Sequence, residues 1–212
     1  MKRQQIIKSS LGVWLLLLSM VAHAGNVEKY FVTTPQTVLP LLSQKQRIEL
    51  LEYYKDDKGD SIENRFRKQS RMLLFDTQNQ YLKLQTTPST TFELFILQPD
   101  TVTPPVIGII RTVCAPVCHS SVTFYDSVWQ TVPTPFDIPK ATAWVDTDAL
   151  TENEDVAFLM QPFASVNFIS LQYDAENATF TAFNNNLDYL NTEEREKISP
   201  FVKQEGIKIK TF

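Results

Sequence analysis

The side chains best equipped for chemistry fall within one short stretch, Cys114-Ala115-Pro116-Val117-Cys118-His119. Three chemistries compete for it. In the first, Cys114 and Cys118 flank a tight turn between two strands, Pro116 presets that turn, and the thiols join in a disulfide. The bond would close a loop of about five residues, so it would contribute about 2 kcal/mol and pin a hairpin rather than hold a domain together. In the second, Cys-x-x-x-Cys-His is a lengthened form of the c-type haem attachment motif, with His119 as an axial ligand and Met72 or Met160 opposite. The usual two-residue spacer is missing, and the flanks read as strand. In the third, soft thiolates beside an imidazole suit copper(I) or thiol redox chemistry, as in the copper-chaperone variant of the thioredoxin fold. That fold would put Cys118 in a helix and bring a distant histidine, whereas Ser120 to Tyr125 alternates like a strand. The structural disulfide is the reading carried forward. Cys114, Cys118 and His119 stand as the alternative metal set.

Other groupings are more diffuse. Asp146, Asp148, Glu152, Glu154 and Asp155 supply oxygen ligands of the kind calcium takes, but Leu150 occupies the third ligand position of an EF-hand spacing and the following glycine is absent. A solvated acidic loop is the expectation there. Arg65, Arg67, Lys68 and Arg71 form a basic patch that could meet a polyanionic glycan, or simply a charged surface between helix and sheet. A Ser-His-Asp or Cys-His nucleophile would have to use His119, and no nucleophile-elbow motif is present. No acidic pair stands out as a glycosidase couple.

The N-terminus sets the compartment. Lys2, Arg3 and Lys8 precede an apolar stretch from Leu11 to Ala22, and Ala22-His23-Ala24 places small residues where a signal peptidase reads. Cleavage between Ala24 and Gly25 is expected, which exports the chain to the periplasm or beyond. The apolar run is shorter than the roughly 20 residues of a membrane span. Cleavage would remove three of the 20 basic residues and none of the 24 acidic ones, moving the formal charge from −4 to −7. That acidic balance excludes a general nucleic-acid binder. With 43% hydrophobic and 21% charged residues in 212, the chain is ordinary globular material rather than a disordered tail or a disulfide-dense mini-protein. Residues 25–212 read as one α+β domain, expected to be soluble. His119 is then the only histidine left, which argues against most metal and nucleophile chemistries.

The elements that must position these residues run helix first, strands afterwards. After an extended lead, Tyr30 to Thr34, the Ser43/Gln46 spacing is that of a capping box, and Ile48, Leu51 and Tyr54, widened by Leu50, form an apolar stripe. The spacing predicts an amphipathic helix from Ser43 to Asp57, stopped by Gly59. Met72 to Phe75, Tyr81 to Leu84, Phe92 to Leu97, Val106 to Val113 and Val122 to Tyr125 are strand-length runs separated by turn residues. They predict a predominantly antiparallel meander. Residues Val132 to Pro139 form an extended crossing loop, with Trp129 and Trp144 expected to cover the sheet edge. Phe168 to Tyr173 and Thr179 to Phe183 form a hairpin. Asn191 and Glu194 box the start of a short C-terminal helix that Pro200 ends, and Ile207 to Lys210 alternates as a last strand.

Leu39-Pro40-Leu41-Leu42 with Arg47 and Leu50-Leu51, then Tyr81-Leu82-Lys83-Leu84, Ile109-Ile110-Arg111-Thr112-Val113-Cys114, and Phe124-Tyr125-Asp126 with Trp129 give a recognisable order. On these residues the chain resembles an uncharacterised family of secreted Bacteroidetes proteins, catalogued as a domain of unknown function. The resemblance covers most of the mature chain, but its motifs are packing motifs. It therefore implies a compartment and a fold rather than an activity. A Bacteroidetes source would also give meaning to Asp60-Ser61-Ile62, Asp100-Thr101-Val102 and Asp126-Ser127-Val128, which resemble the short O-glycosylation motif of that phylum. Ser61, Thr101 and Ser127 are then candidate glycan carriers. The expectation is an exported, non-enzymatic binding or structural module of the cell envelope, without a cofactor and not an integral membrane protein. Its partner would be an apolar ligand, a glycan or an envelope protein. A periplasmic copper-binding or thiol redox protein is the alternative.

Overall fold

Phe92 to Leu97 is an unbroken run of buried residues, so the strand that holds it, β4 (Thr90–Leu97), is covered on both faces. The structure is a computed structural model that describes residues 27–97, 104–150, 158 and 160–210. In it β4 is the centre of a seven-stranded antiparallel sheet whose spatial order is the chain order. The other members are β1 (Ile62–Glu63), β2 (Gln69–Asp76), β3 (Tyr81–Thr87), β5 (Val106–Cys114), β6 (Cys118–Tyr125) and β7 (Thr131–Val132). Successive side chains point to opposite faces of a strand. Phe92, Leu94 and Ile96 therefore enter one hydrophobic core, and Phe95 and Leu97 another.

The first core is capped by two helices, α1 (Val27–Thr33) and α2 (Gln44–Lys55). It is mostly aliphatic, with Leu82, Leu84, Leu94, Ile107 and Ile109 fully buried. α2 starts at the expected capping box: Ser43 Oγ accepts from the Gln46 amide and the Gln46 side chain accepts from the Ser43 amide. It ends at Asp56, and Asp57 itself takes the left-handed conformation, ahead of Gly59. The stretch expected as an extended lead is helical instead. Val27, Tyr30 and Phe31 repeat at helical spacing and are buried, and Gln80 Oε1 accepts from the Val27 amide.

The second core lies between the large sheet and a three-stranded sheet in the order β10 (Ile207–Lys210), β9 (Thr179–Asn184), β8 (Ile169–Asp174). The molecule thus has a helix layer and two sheet layers. This core is aromatic: Phe95, Phe124 and Phe180 are fully buried, and Tyr173 stacks on Phe95 with ring centroids 4.1 Å apart. A Cβ at position 108 would overlap the Phe95 ring, so only glycine lets that ring lie across β5. Short helices α3 (Thr147–Leu150), α4 (Gln161–Ser165) and α5 (Thr192–Ile198) complete the chain. α5 carries the expected capping box, and Pro200 sits in the 3-10 turn that follows it. Trp144 lies beside the segment that leads into β10, an edge strand of the small sheet. It is buried in the aromatic core and donates to the Glu205 carbonyl, while Trp129 packs beside Tyr30 and Tyr125 on the helix side.

Candidate functional site

The cysteine cluster is built by the β5–β6 hairpin, whose last pair is Cys114 opposite Cys118. The two are joined in a disulfide, as the spacing suggested. His119 is exposed, and its Nδ1 accepts from the Ile169 amide at 3.4 Å. Asn185 Nδ2 donates to the Cys118 carbonyl and Ser120 Oγ accepts from the Leu171 amide, so this hairpin fastens β6 to β8. Both sulfurs and one ring nitrogen are thereby committed to structure. No group of three or more His, Cys, Asp or Glu side chains that could hold a metal occurs among the described residues. Of the acidic cluster, Asp146 accepts from the Asp148 amide, and Glu152, Glu154 and Asp155 lie outside the described residues. Ser61 and Ser127 are exposed, with Ser61 Oγ donating to Gln69 Oε1, and Thr101 lies outside the described residues.

The basic patch is more organised than its sequence suggests. Arg65, Arg67 and Lys68 occupy the β1–β2 turn, around Phe66, which is 67% exposed. Asn64, itself buried, builds that turn. Its Oδ1 accepts from the amides of Phe66 and Lys68, and its Nδ2 donates to Ser70 Oγ and to the Thr86 carbonyl. Two more bonds tie the turn to the start of α2: Gln46 Nε2 donates to the Glu63 carbonyl, and the Arg65 amide to the Leu41 carbonyl. Arg111 reaches the same segment from β5, donating from Nη2 to the Val38 carbonyl at 2.6 Å while its guanidinium lies over Phe92. Arg71 follows on β2, opposite Gln85.

Arg47 completes the group, and periodicity had missed it. The stripe of α2 was expected to include Ile48, yet Ile48 is 40% exposed and Arg47 is buried with Leu50 and Leu51. Positions 47, 50, 51 and 54 are the helical repeat that faces the sheet. An arginine at the first of them is the signal that an apolar-only count overlooks. Arg47 is 3% exposed, and its Nε and Nη1 are buried with no hydrogen-bond partner. Burial pushes its pKa below the ordinary arginine value, although a guanidinium remains charged at neutral pH. None of Arg47, Arg65, Arg67, Lys68, Arg71 or Arg111 joins a salt bridge among the described residues; the bridges present all lie elsewhere.

A polar cleft of about 530 Å³ also opens where β9 meets α5, lined by Asn184, Asn185, Asp188, Arg195 and Lys203. Its arginine is already used, bridging Asp188 and donating to the Leu187 carbonyl. On the helix-covered face of the large sheet, where an apolar pocket was conceivable, a cavity of about 270 Å³ opens between the end of α2 and β2, lined by Leu50, Tyr54, Asp57, Gly59, Asp60 and Met72. No helix among the described residues is long and apolar enough to cross a membrane.

The family model described as "Protein of unknown function (DUF3256)" matches residues 19–210. The chain belongs to this family. The match spans both sheets. A solved domain of an uncharacterized protein from Porphyromonas gingivalis W83, a Bacteroidetes organism, is similar in fold, with a TM-score of 0.73 at 19% identity. The similarity covers 87% of this chain and 93% of that one. No curated protein matches the chain.

Proposed function

We propose that the chain is exported through its first 24 residues and serves in the cell envelope as a non-enzymatic module that holds an acidic glycan on the basic face around Phe66. The observation that carries this reading is charge segregation. On a chain of formal charge −4, Arg65, Arg67 and Lys68 crowd one exposed turn, and none of them joins an ion pair among the described residues. Unpaired surface cations raise the local concentration of anionic ligands. The exposed Phe66 ring between Arg65 and Arg67 adds an apolar surface for the C–H face of a sugar ring. Asn64 holds the turn in one shape, which lowers the ordering cost of binding. The basic n-region, apolar run and Ala-x-Ala pattern support export, and the Cys114–Cys118 disulfide suits an oxidising compartment. A copper or thiol redox role has the closed disulfide and the engaged His119 against it.

Polygalacturonate, a carboxylate-bearing glycan, tests the reading by titration calorimetry of the mature protein at low and at raised salt. Binding is expected at low salt and should weaken as salt screens the face. Replacing Arg65, Arg67 and Lys68 together by alanine should reduce affinity about tenfold, since exposed charges contribute a few tenths of a kcal/mol each. Failure to bind at low salt, or equal binding of single-stranded DNA, would overturn it. N-terminal sequencing of exported protein should begin at Gly25.

A further inference from the structure

A guanidinium buried with two of its nitrogens unpartnered is costly for a folded chain to keep unless something meets them. Arg47 is in that position: 3% exposed, with Nε and Nη1 donating to nothing. Elsewhere the same fold shows how it treats a buried charge that is purely structural. Glu93, 2% exposed, receives a hydrogen bond from Tyr81 Oη at 2.7 Å and an ion pair from Lys83 Nζ at 2.9 Å. Arg47 has no such pair among the described residues, and its helix neighbour Gln46 is bonded to the turn that carries the exposed cations. The β1–β2 turn that carries Arg65 is bonded to the Leu41 carbonyl and to Gln46, and Arg111 to the Val38 carbonyl. Arg47 follows directly on that 38–46 segment.

We propose that Arg47 is the receptor for a single oxyanion group, a carboxylate or a phosphate, which enters beside the 38–46 segment and occupies one edge of the guanidinium, meeting one of its two unpartnered nitrogens. Each edge of a guanidinium, Nε with Nη2 or Nη1 with Nη2, matches two oxygens of such a group in parallel. Exposed Arg65, Arg67, Lys68 and Arg71 gather the anion, and Arg47 fixes it. This assignment rests on the proposed glycan-binding role and supplies its specificity: an acidic sugar bearing a projecting carboxylate or phosphate is selected over one whose charge is only diffuse.

Thermal unfolding in chloride-poor buffer tests it, with inorganic phosphate and acetate as the probes and Arg47→Met and Arg47→Lys as the variants. One or both probes should raise Tm of the unaltered protein by about 3–5 °C at ten times Kd. A response to phosphate alone identifies a phosphorylated ligand, and a response to acetate alone a carboxylate. Arg47→Met should unfold no lower than the unaltered protein in the absence of anion and should lose the response. Arg47→Lys should weaken it, because a point charge lacks the two-oxygen edge. The triple alanine variant of the turn should keep the response. If neither anion stabilises the protein, or if Arg47→Met alone lowers Tm by more than about 4 °C, the guanidinium is structural and the assignment falls. Polymer binding without a small-anion response defeats only this assignment. A small-anion response without polymer binding defeats only the glycan role.

Discussion

The two faces of the seven-stranded sheet solve the same burial problem in opposite ways. Against the small sheet the core is aromatic and carries a buried carboxylate, Glu93, whose hydrogen bonds and counter-charge come from the adjacent strand. Against the helices the core is aliphatic and carries a buried guanidinium whose Nε and Nη1 find no partner. Desolvating a charge is unfavourable in either case, but only Glu93 is compensated within the chain. The difference teaches that burial by itself does not mark a functional residue. An unmet buried donor is the further sign, and among the described residues it occurs at Arg47 on the helix side and at Asn184 Nδ2 on β9.

Variants can break or sharpen that contrast. The largest effect is expected for Lys83→Met, which strands the Glu93 carboxylate without its counter-charge. Lys83 is partly solvated, so a loss of about 2 kcal/mol, below the range for a fully buried pair, should appear in urea unfolding. Tyr81→Phe removes one hydrogen bond to the same carboxylate and should cost about 1.5 kcal/mol in that assay. If either variant proves neutral, the carboxylate is not held as described. Alkaline unfolding should report the same face. Burial, with a smaller contribution from Asp174, holds Tyr173 up to about 12, and burial raises Tyr81 in the same direction. The unfolded chain releases tyrosine protons near pH 10 and so binds fewer protons above it, which means stability falls as pH rises from about 10 through 12. Tyr173→Phe should flatten that fall in a pH series of unfolding midpoints. The smallest effect is expected for Arg47→Met, within about 0.5 kcal/mol of the unaltered protein or above it, because the Nε and Nη1 it removes have no partner to strand. A large loss there would erase the contrast between the faces.

Much of the fold is legible in the residue order. Both capping boxes form, and the turns Asp76-Thr77-Gln78-Asn79 and Asp174-Ala175-Glu176-Asn177 are built alike. In each, the aspartate accepts from the two following turn amides and from the asparagine side chain, and the next residue, Gln80 or Ala178, has positive φ. Those bonds hold both aspartates below their ordinary pKa, chiefly through Asn79 and Asn177. The disulfide is legible in the cysteine spacing. The second sheet layer was less visible, because alternation names a face that is buried and says nothing of which element buries it. The four successive apolar residues Leu94 to Leu97 are the sequence's sign of cover on both sides. Arg47 escaped for a related reason: a stripe counted in apolar residues slides onto Ile48 when the true register begins with a cation. Helix α1 was too short for its pattern to compete with an extended reading.

Every pairing within the two sheets joins strands consecutive in sequence, from β1–β2 through β6–β7 and from β8–β9 through β9–β10. Such local connectivity keeps the loop-closure cost of each step low and favours rapid assembly. It also orders exposure in time during synthesis. The large sheet can assemble once β7 is present, but Phe95 and Phe124 lack the Tyr173 and Phe180 rings until residues beyond 168 arrive to lay β8, β9 and β10 across them. A chain stopped before that point would display its stickiest surface, and nascent or truncated forms should aggregate through the aromatic face rather than the helix-covered one.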